Sequence, residues 1–233
     1  MSQPLGLEVP GFVPPPAPGP DRIAGRFVTL ERLDPARHAD ALFAANADQD
    51  RMWDYMGYGP WRDAADYRGW QAQMAASVDP FLYALRDNAT GQPGGIASFL
   101  RVDSANGVIE IGHIAISPIM QRTPAASEAI MLMIAWAFDS GYRRVEWKCN
   151  DLNAGSMRAA ARYGFRYEGT FRNHMVVKGR NRDTAWWAIT AEKWPALRAA
   201  HDRWLDPRNF GPDGAQVESL TALTAALRPR SDQ

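Results

Sequence analysis

The sequence predicts an α/β fold of the α+β kind, with about seven β-strands and several helices in one domain and a C-terminal helical extension. Short runs rich in β-branched and aromatic residues recur between Arg26 and Thr190, bounded by glycine, proline or asparagine. Apolar residues repeat at helical spacing in other stretches, most clearly in residues 124–139. After Trp194-Pro195, leucine and tryptophan at similar spacing predict one or two amphipathic helices.

The chain divides into an arm, a domain and an extension. Residues 1–24 contain Pro-Pro-Pro and Pro-Gly-Pro, which favour an extended arm, either a solvated tail or a strap on the domain. Residues 25–194 carry the predicted strands, and residues 195–233 form the helical extension. With 233 residues and 46% hydrophobic composition, the chain can bury a sizeable core.

Composition excludes several classes of protein. The 26 basic residues balance the 26 acidic residues, which argues against a nucleic-acid or anionic-membrane partner. Cys149 is the only cysteine, which excludes an internal disulfide and a multi-cysteine zinc site, and we expect no metal. The sequence shows no signal-peptide pattern and no apolar stretch that would span a bilayer, so we expect a cytoplasmic protein.

The first half of the domain contains strands, helices and an aromatic loop. Arg26–Leu33 has the composition of a strand, and Asp34 then caps a helix whose first residue is Pro35. The segment Met52–Trp61 is rich in aromatic residues and glycine without a period, so it is a loop that either packs on the core or lines a pocket. Asp63 is expected to cap a second helix.

The second half is predicted to alternate strands with two helices. Asn106-Gly107 indicates a hairpin turn, and Gly164-Phe165 closes the second of these helices. The predicted strands of this half are Phe81–Arg86, Gly95–Val102, Ile109–Ser117, Arg144–Cys149, Tyr167–Val177 and Arg182–Thr190.

Residues 109–118 combine strand composition with two unusual features. Glu110 places a charge in an apolar strand, which is costly unless the charge is solvated, paired or used in chemistry. Gly112 indicates a bulge or a close approach by a ligand or another backbone. A polar turn and a helix follow from Gln121 to Glu128, and the free amides of a helix N-terminus beside Arg122 suit a phosphate.

Four motifs, in their order and spacing, resemble a known family. They are Glu110-Ile-x-x-x-Ala-Ile-Ser, the turn that starts at Gln121, Asn153-x-x-Ser156, and Gly164-Phe165. Across residues 25–194 they resemble the GNAT (Gcn5-related) N-acetyltransferase family and, within it, the branch of ribosomal-protein and microcin-resistance acetyltransferases. The resemblance implies a mixed, mostly antiparallel twisted sheet, in which the strand with Glu110 splays from the strand that ends at Cys149.

The resemblance also implies a function. GNAT enzymes transfer the acetyl group of acetyl-CoA to an amine, here a primary amine of a small molecule or a protein N-terminus, which attacks directly in a ternary complex. The alternative is a noncatalytic CoA-binding or sensor domain of the same fold. It is motivated by Pro124, which replaces a family glycine, and by Ala160, where many members carry a tyrosine. A homodimer is compatible with the sequence.

The resemblance places the cofactor along the splayed strand and at the helix N-terminus. Pantetheine is expected to pair with the strand, and the pyrophosphate is expected to lie on the turn. The implied cofactor residues are Ile114, Ala115, Ile116, Gln121, Arg122, Thr123, Ala125, Ala126, Ser127, Asn153 and Ser156. Pro124 has no amide to donate, but it suits the first helical position with Thr123 as N-cap. A well-capped helix without a phosphate is the alternative.

Two residues are implied to carry the catalysis. Glu110 is the expected general base, because its motif matches that of the histone-acetylating members and burial would raise its pKa. The alternative is a solvated carboxylate or one paired with an arginine. Ser156 is the expected donor near the sulfur, because the serine of Asn-x-x-Ser resembles the substitute for the missing tyrosine in the ribosomal-protein branch. Alternatively it packs in its helix or bonds the local backbone.

An aromatic loop and a histidine are expected to border the acceptor. The expected acceptor residues are Trp53, Tyr55, Tyr58 and His113. On an ideal strand His113 would face away from Glu110, but a bulge at Gly112 could change this, so a pocket or core histidine is expected.

Two further features have competing interpretations. Cys149 ends a predicted buried strand and is expected to be inert packing. Arg180, Arg182 and Asp183 form either a solvated charge cluster or a site that recognises an acidic or carboxylate-bearing substrate.

Overall fold

A computed structural model describes residues 3–212 and 214–227 of the chain. Within these residues, eight strands form one sheet in the order β1-β2-β3-β4-β5-β6-β8-β7. The strands are β1 (Arg22–Ala24), β2 (Val28–Arg32), β3 (Phe81–Asp87), β4 (Pro93–Asp103), β5 (Val108–Ile116), β6 (Arg144–Asn150), β7 (Arg166–Val177) and β8 (Arg180–Thr190). The helices are α1 (Pro35–Ala45), α2 (Ala64–Ala75), α3 (Pro124–Asp139), α4 (Ala154–Tyr163), α5 (Trp194–Leu205) and α6 (Leu220–Ala225). The predicted fold class is confirmed.

The structure adds one strand to those predicted. This strand is β1, which lies in the segment assigned to the arm and pairs antiparallel with β2. Upstream of it, the Tyr142 hydroxyl donates to the carbonyl of Pro16 at 2.8 Å, and the Tyr83 hydroxyl donates to that of Pro20 at 2.9 Å. Both tyrosines belong to the core, so the arm lies on the domain as a strap.

The helices cover both faces of the sheet. Helices α1 and α2 pack on one face, and α3 to α6 pack on the other. Alternate residues of β3 divide accordingly: Leu82 and Ala84 belong to the cluster under α1 and α2, whereas Tyr83 and Leu85 belong to the cluster under α3. The middle of the sheet is therefore buried on both sides, as the near-continuous apolar runs of β3 and β4 require.

The central feature of the sheet is an opening between β5 and β6. These strands run parallel and pair only from Val108–Arg144 to Glu110–Glu146. Beyond that point β5 continues with β4 as its neighbour, and β6 continues with β8. The splay implied by the family resemblance is thus confirmed, and it leaves strand edges unpaired in the middle of the sheet.

Candidate active site

A cavity of about 750 Å³ lies at the opening between β5 and β6. Its walls come from the two splayed strands, the loop at residues 55–58, the turn at residues 121–122, helices α3 and α4, and the β7–β8 hairpin. Small-molecule sites commonly have volumes of roughly 300–1,000 Å³. The opening in the sheet is therefore large enough to hold reacting groups.

Strand alternation gives the cavity two different sides. On β6, Trp147 packs in the core with α4, so Lys148 points to the opposite face. On β5, Ile109 packs in the same core, so Glu110 points to the same face as Lys148. We call the side with Trp147 and Ser156 the α4 side, and the side with Glu110 and Lys148 the α2 side.

On the α4 side, a hydrogen bond fixes the orientation of Ser156. The indole Nε1 of Trp147 donates to Ser156 Oγ at 2.9 Å. An indole N–H can only donate, so the serine must use its own hydrogen for another acceptor. Asn153 accepts from the Ser156 amide at 3.0 Å and caps α4, as expected. The Ser156 hydroxyl hydrogen is thus not used in the bond with Trp147, and it can be donated to the neighbouring Cys149 sulfur or to a group bound in the cavity.

The cysteine near Ser156 is buried. Cys149 is 6% exposed, and burial raises the pKa of its thiol, although a hydrogen bond with the Ser156 side chain partly offsets this. A thiol with a raised pKa is a poor nucleophile at neutral pH. This geometry agrees with inert packing and gives Ser156 a sulfur neighbour already in the resting protein.

The missing family tyrosine is not replaced at its own position. Ala160 carries no hydroxyl, and it is fully buried in the core. Tyr163 lines the cavity instead, and its hydroxyl meets the side chains of Ser127 and Arg162. Burial raises the pKa of Tyr163. Sequence reasoning missed this residue because no motif singles it out.

The turn before α3 has many internal hydrogen bonds. The amides of Met120 and Gln121 each donate to the Ser117 carbonyl at 3.0 Å, and Arg122 adopts a left-handed φ of 63°. Thr123 is the N-cap of α3 and accepts from the Ala126 amide at 3.3 Å. One amide expected to bind phosphate therefore already has an acceptor in this structure.

The predicted cofactor residues divide into two groups. Those that line the cavity are Ile114, Ile116, Gln121, Arg122, Ala126, Asn153 and Ser156. Those that lie outside its lining are Ala115, Thr123, Ala125 and Ser127. Ala115 packs in the cluster under α1 and α2, and Ser127 Oγ accepts from Arg162 Nη1 at 3.0 Å. The second group can contribute backbone atoms and support, whereas the first group borders the space itself.

A β-bulge brings His113 to the same cavity as Glu110. Between two paired positions, β4 advances two residues, from Ile96 to Ser98, while β5 covers three, from Ala115 to Gly112. His113 lies in this bulge with a positive φ of 50°. Both His113 and Glu110 line the cavity. A bulge beside Gly112, which could turn the His113 side chain toward the face of Glu110, is therefore present.

Gly112 at the start of the bulge lies close to two side chains. A Cβ there would lie 2.9 Å from Leu100 Cδ2 and 3.3 Å from Glu110 Oε1. A side chain at this position would therefore displace the end of Leu100 and press on the Glu110 carboxylate.

On the α2 side, Glu110 is buried and paired. The residue is 3% exposed, and its Oε2 lies 2.7 Å from Arg101 Nη1 and 3.1 Å from Lys148 Nζ. Lys148 also pairs with Glu146 at 2.8 Å and lies 3.7 Å from the centre of the Trp186 ring. Two cations thus compensate the charge that the carboxylate would carry in this buried position. Of the two expectations for Glu110, the arginine-paired carboxylate describes its surroundings.

Sequence reasoning missed Arg101 and Lys148. The signal for Lys148 was available: it is a charge in a buried strand, like Glu110, and it alternates with Trp147 and Cys149. Arg101 had no comparable signal, because its place beside Glu110 depends on the β4–β5 register, in which Leu100 is the residue paired with Glu110.

His113 and Tyr58 form a stacked pair in the cavity wall. The Tyr58 hydroxyl lies 3.0 Å from His113 Nδ1, and the rings stack with centroids 5.5 Å apart and planes 6° apart. Burial, together with the charge of Arg101, lowers the pKa of His113 to about 4. Burial also raises the pKa of Tyr58. Both residues are therefore neutral at neutral pH.

The aromatic loop both packs and lines the pocket. Tyr55 and Tyr58 line the cavity, whereas Trp53 is 3% exposed and packs behind Tyr58 at 5.9 Å between ring centroids. The Tyr55 hydroxyl donates to the Leu152 carbonyl at 3.2 Å, and Lys178 Nζ donates to the Trp53 carbonyl at 2.8 Å. The loop is thus held from the β6–α4 connection and from the tip of the β7–β8 hairpin.

Comparison with known proteins agrees with this geometry. Residues 28–166, more than half of the chain, match the family model described as the acetyltransferase (GNAT) domain. The chain belongs to the GNAT acetyltransferase family. The recognition from sequence is confirmed, and acetyl-CoA is the cofactor of this family.

Solved GNAT structures resemble this GNAT chain over most of its length. A GCN5-related N-acetyltransferase from Brucella melitensis is 42% identical, with 93% of this chain and 100% of that chain covered and a TM-score of 0.91. A probable acetyltransferase of the GNAT family from Chromobacterium violaceum is 38% identical, with coverage of 84% and 99% and a TM-score of 0.79. A search of curated proteins found no match.

More distant structures share the fold. The microcin C7 self-immunity acetyltransferase MccE, solved with acetyl-CoA and AMP, is 21% identical, with coverage of 71% and 93% and a TM-score of 0.62. None of the helices in the described part of this GNAT chain is long and apolar enough to cross a membrane.

Proposed function

We propose that this GNAT protein is an N-acetyltransferase in which a primary amine attacks the acetyl group of acetyl-CoA directly, in a ternary complex. The observation that supports this most is that one cavity joins Ser156 on the α4 side to Glu110 on the α2 side, through the opening between β5 and β6. Direct transfer needs a donor for the leaving sulfur and a base for the amine on either side of one carbonyl carbon.

The residues at the opening fit acetyl-CoA. Ile114 and Ile116 lie on a strand edge that β6 has left, where an extended amide chain can pair by strand addition. Arg122 and the N-terminus of α3 offer positive charge for the pyrophosphate. When bound, acetyl-CoA supplies an activated acetyl thioester.

Ser156 donates to the sulfur as the thioester bond breaks. Because Trp147 Nε1 occupies an acceptor lone pair of Ser156 Oγ, the hydroxyl hydrogen is the part of the serine left to serve the leaving thiolate. A donor aimed at a developing negative charge stabilises the transition state more than the ground state.

Glu110 accepts the proton that the attacking ammonium must lose. Its burial excludes water, and Arg101 and Lys148 hold the carboxylate in place. Tyr55, Tyr58 and His113 form the wall against which the acceptor binds, with Trp53 as support behind Tyr58.

The test is release of free CoA thiol across a panel of small amines and peptides with free N-termini. Turnover with at least one class is expected. Calorimetry with CoA and with dephosphorylated pantetheine supplies a second readout, and tighter binding of CoA is expected from Arg122 and the α3 N-terminus. CoA binding without turnover of any amine would instead support the noncatalytic binding or sensor domain.

A further inference from the structure

We propose that the acceptor amine also carries a carboxylate, and that Arg182 binds this carboxylate. The inference rests on the proposed N-acetyltransferase function and names the substrate class of the same site.

Arg182 is a cation of the cavity without a counter-charge. It lies on β8, half-buried, and lines the cavity together with Glu110 and Lys148. Its Nε is shielded from solvent and has no hydrogen-bond partner among the described residues. A buried polar nitrogen without a partner is costly, so such a group is a site where a ligand can bind favourably.

The other charges at this end of the cavity are already matched. Arg101 pairs with Glu110, and Lys148 is shared between Glu110 and Glu146. Glu146 also pairs with Arg144, which binds Glu168 as well. Four cations therefore meet three carboxylates in this group, and Arg182 is the cation among them without an ion pair in the described chain. Burial lowers the pKa of its guanidinium, and the charge of Glu110 offsets this only in part.

The nearby hairpin carboxylates do not compensate Arg182. Asp183 follows it on β8 and points to the other face, where it pairs with Arg172 at 2.9 Å. Asp151 pairs with Arg172 as well, at 3.2 Å. The charged cluster noted in the sequence is thus divided: Asp183 belongs to a solvated ion-pair group, and Arg182 belongs to the cavity.

Position favours a ligand that reaches both Arg182 and the reacting centre. The register Lys148–Trp186 and Asn150–Thr184 puts Arg182 on the same face as Lys148 by alternation. Glu110 and Arg182 line the same cavity, and the negative charge of Glu110 raises the pKa of Arg182. An amine at Glu110 with a carboxylate a short spacer away fits this arrangement. A planar guanidinium matches a carboxylate with two parallel hydrogen bonds.

The experiment compares short amino acids of increasing spacer length with the carboxamide of each, so that the members of a pair differ in whether the carboxylate is present. For the wild-type protein we expect the carboxylate member to have a higher kcat/KM by about tenfold or more. Arg182→Gln should remove most of that preference, and Arg182→Lys should restore part of it, because charge returns without the planar fork. Arg180→Gln is the matched control, an exposed arginine on the same strand whose loss should leave the preference unchanged.

Binding of each pair to the CoA-loaded protein, measured by calorimetry, gives a readout that does not depend on turnover. A tighter carboxylate complex that weakens in Arg182→Gln supports the proposal. The proposal is overturned if the wild-type protein binds and acetylates the acid and the amide equally well. It is also overturned if the preference for the acid survives in Arg182→Gln. In both cases acetylation of the amides would leave the acetyltransferase function intact. If acids bind through Arg182 but no amine is acetylated, the acetyltransferase function fails instead.

Discussion

Trp147 donates a hydrogen bond of 2.9 Å from its indole nitrogen to Ser156 Oγ, across the gap between β6 and α4. Because the indole occupies an acceptor lone pair of Ser156 Oγ, the hydroxyl hydrogen is the group that Ser156 can donate to a leaving thiolate. The bond also links a core residue to a cavity residue, because Trp147 is 4% exposed and packs against Tyr163 and Phe165.

Loss of the Ser156 hydroxyl should lower turnover across the whole pH range. Removal of a positioned acid or base commonly costs ~10²–10⁴-fold in rate. Ser156→Ala should therefore reduce kcat strongly, since the leaving thiolate loses its donor whatever the charge of the amine. Trp147→Phe keeps the hydroxyl but frees its orientation and should cost less, about fivefold, as expected for one neutral hydrogen bond.

Steady-state kinetics from pH 6 to 9 measure both variants, with CoA affinity and melting temperature as controls. A normal rate for Ser156→Ala would leave this serine with a structural role only.

Loss of the Glu110 carboxylate should produce a defect that depends on pH. Glu110→Gln keeps the shape and removes the basicity, so kcat/KM should fall most at low pH. The defect should shrink as pH rises, because more of the amine arrives already neutral. Glu146→Gln is the comparison variant: it also removes a partner of Lys148, but Glu146 does not line the cavity. Equal pH profiles for the two variants would argue against Glu110 as the base, and His113 would be examined next.

Replacement of His113 should change how stability depends on pH. In the folded protein the pKa of His113 is about 4, below the ordinary value of 6.5, so the unfolded state binds a proton first as pH falls. The stabilisation is complete above pH ~6.5 and is lost progressively toward pH ~4. His113→Asn suits the left-handed backbone and should flatten part of this slope. The rest is due to His38 and His201, whose pKa values are also lowered, and at the acid end to carboxylates with lowered pKa values such as Glu31 and Glu146.

Calorimetric melting temperatures between pH 4 and 8 measure this effect. A slope that is identical in the wild type and in His113→Asn would show that His113 is protonated equally in the folded and unfolded states.

Residues of the aromatic loop should separate into acceptor contacts and packing residues. Tyr55→Ala and Tyr58→Ala should raise the KM of the acceptor more than that of acetyl-CoA, because both side chains line the cavity. Trp53→Ala should also raise the acceptor KM, through loss of support for Tyr58, but its main effect should be on stability. Truncation of a buried tryptophan commonly costs about 3–5 kcal/mol. Kinetics at fixed CoA and urea unfolding separate the effects. If Tyr55→Ala and Tyr58→Ala are stable and leave the KM values of the acceptor and of acetyl-CoA unchanged, the loop only packs against the core.

Local patterns were sufficient to predict most of the fold. The caps Asp34, Asp63 and Thr123 mark helix starts through short-range hydrogen bonds that any sequence reader can recognise. β1 was missed because a segment of three residues, Arg22–Ala24, is too short to show the alternation of a strand. It becomes a strand through its pairing with β2. The splay of β5 from β6 followed only from the family resemblance, and the structure supplies the parallel pairing that ends at Glu110.

The site was less accessible than the fold because it depends on register and long-range pairing. His113 reaches the cavity through a bulge whose presence Gly112 could suggest but not prove. Arg101 and Trp147 act through partners that are distant in sequence or on another element, so no spacing rule indicates them. The lack of a partner for Arg182 is visible only once the neighbouring charges have been placed.

Acetyl-CoA turnover with a matched acceptor panel tests the central claim most directly. The wild-type protein, mixed with acetyl-CoA and each amine, should release CoA thiol in step with formation of the acetylated amine, measured by mass spectrometry on the same samples. The double variant Glu110→Gln/Ser156→Ala should bind CoA normally and lose this coupled reaction. Thiol release with no acetylated amine from any acceptor, or full activity in the double variant, would contradict an acetyl transfer between Ser156 and Glu110.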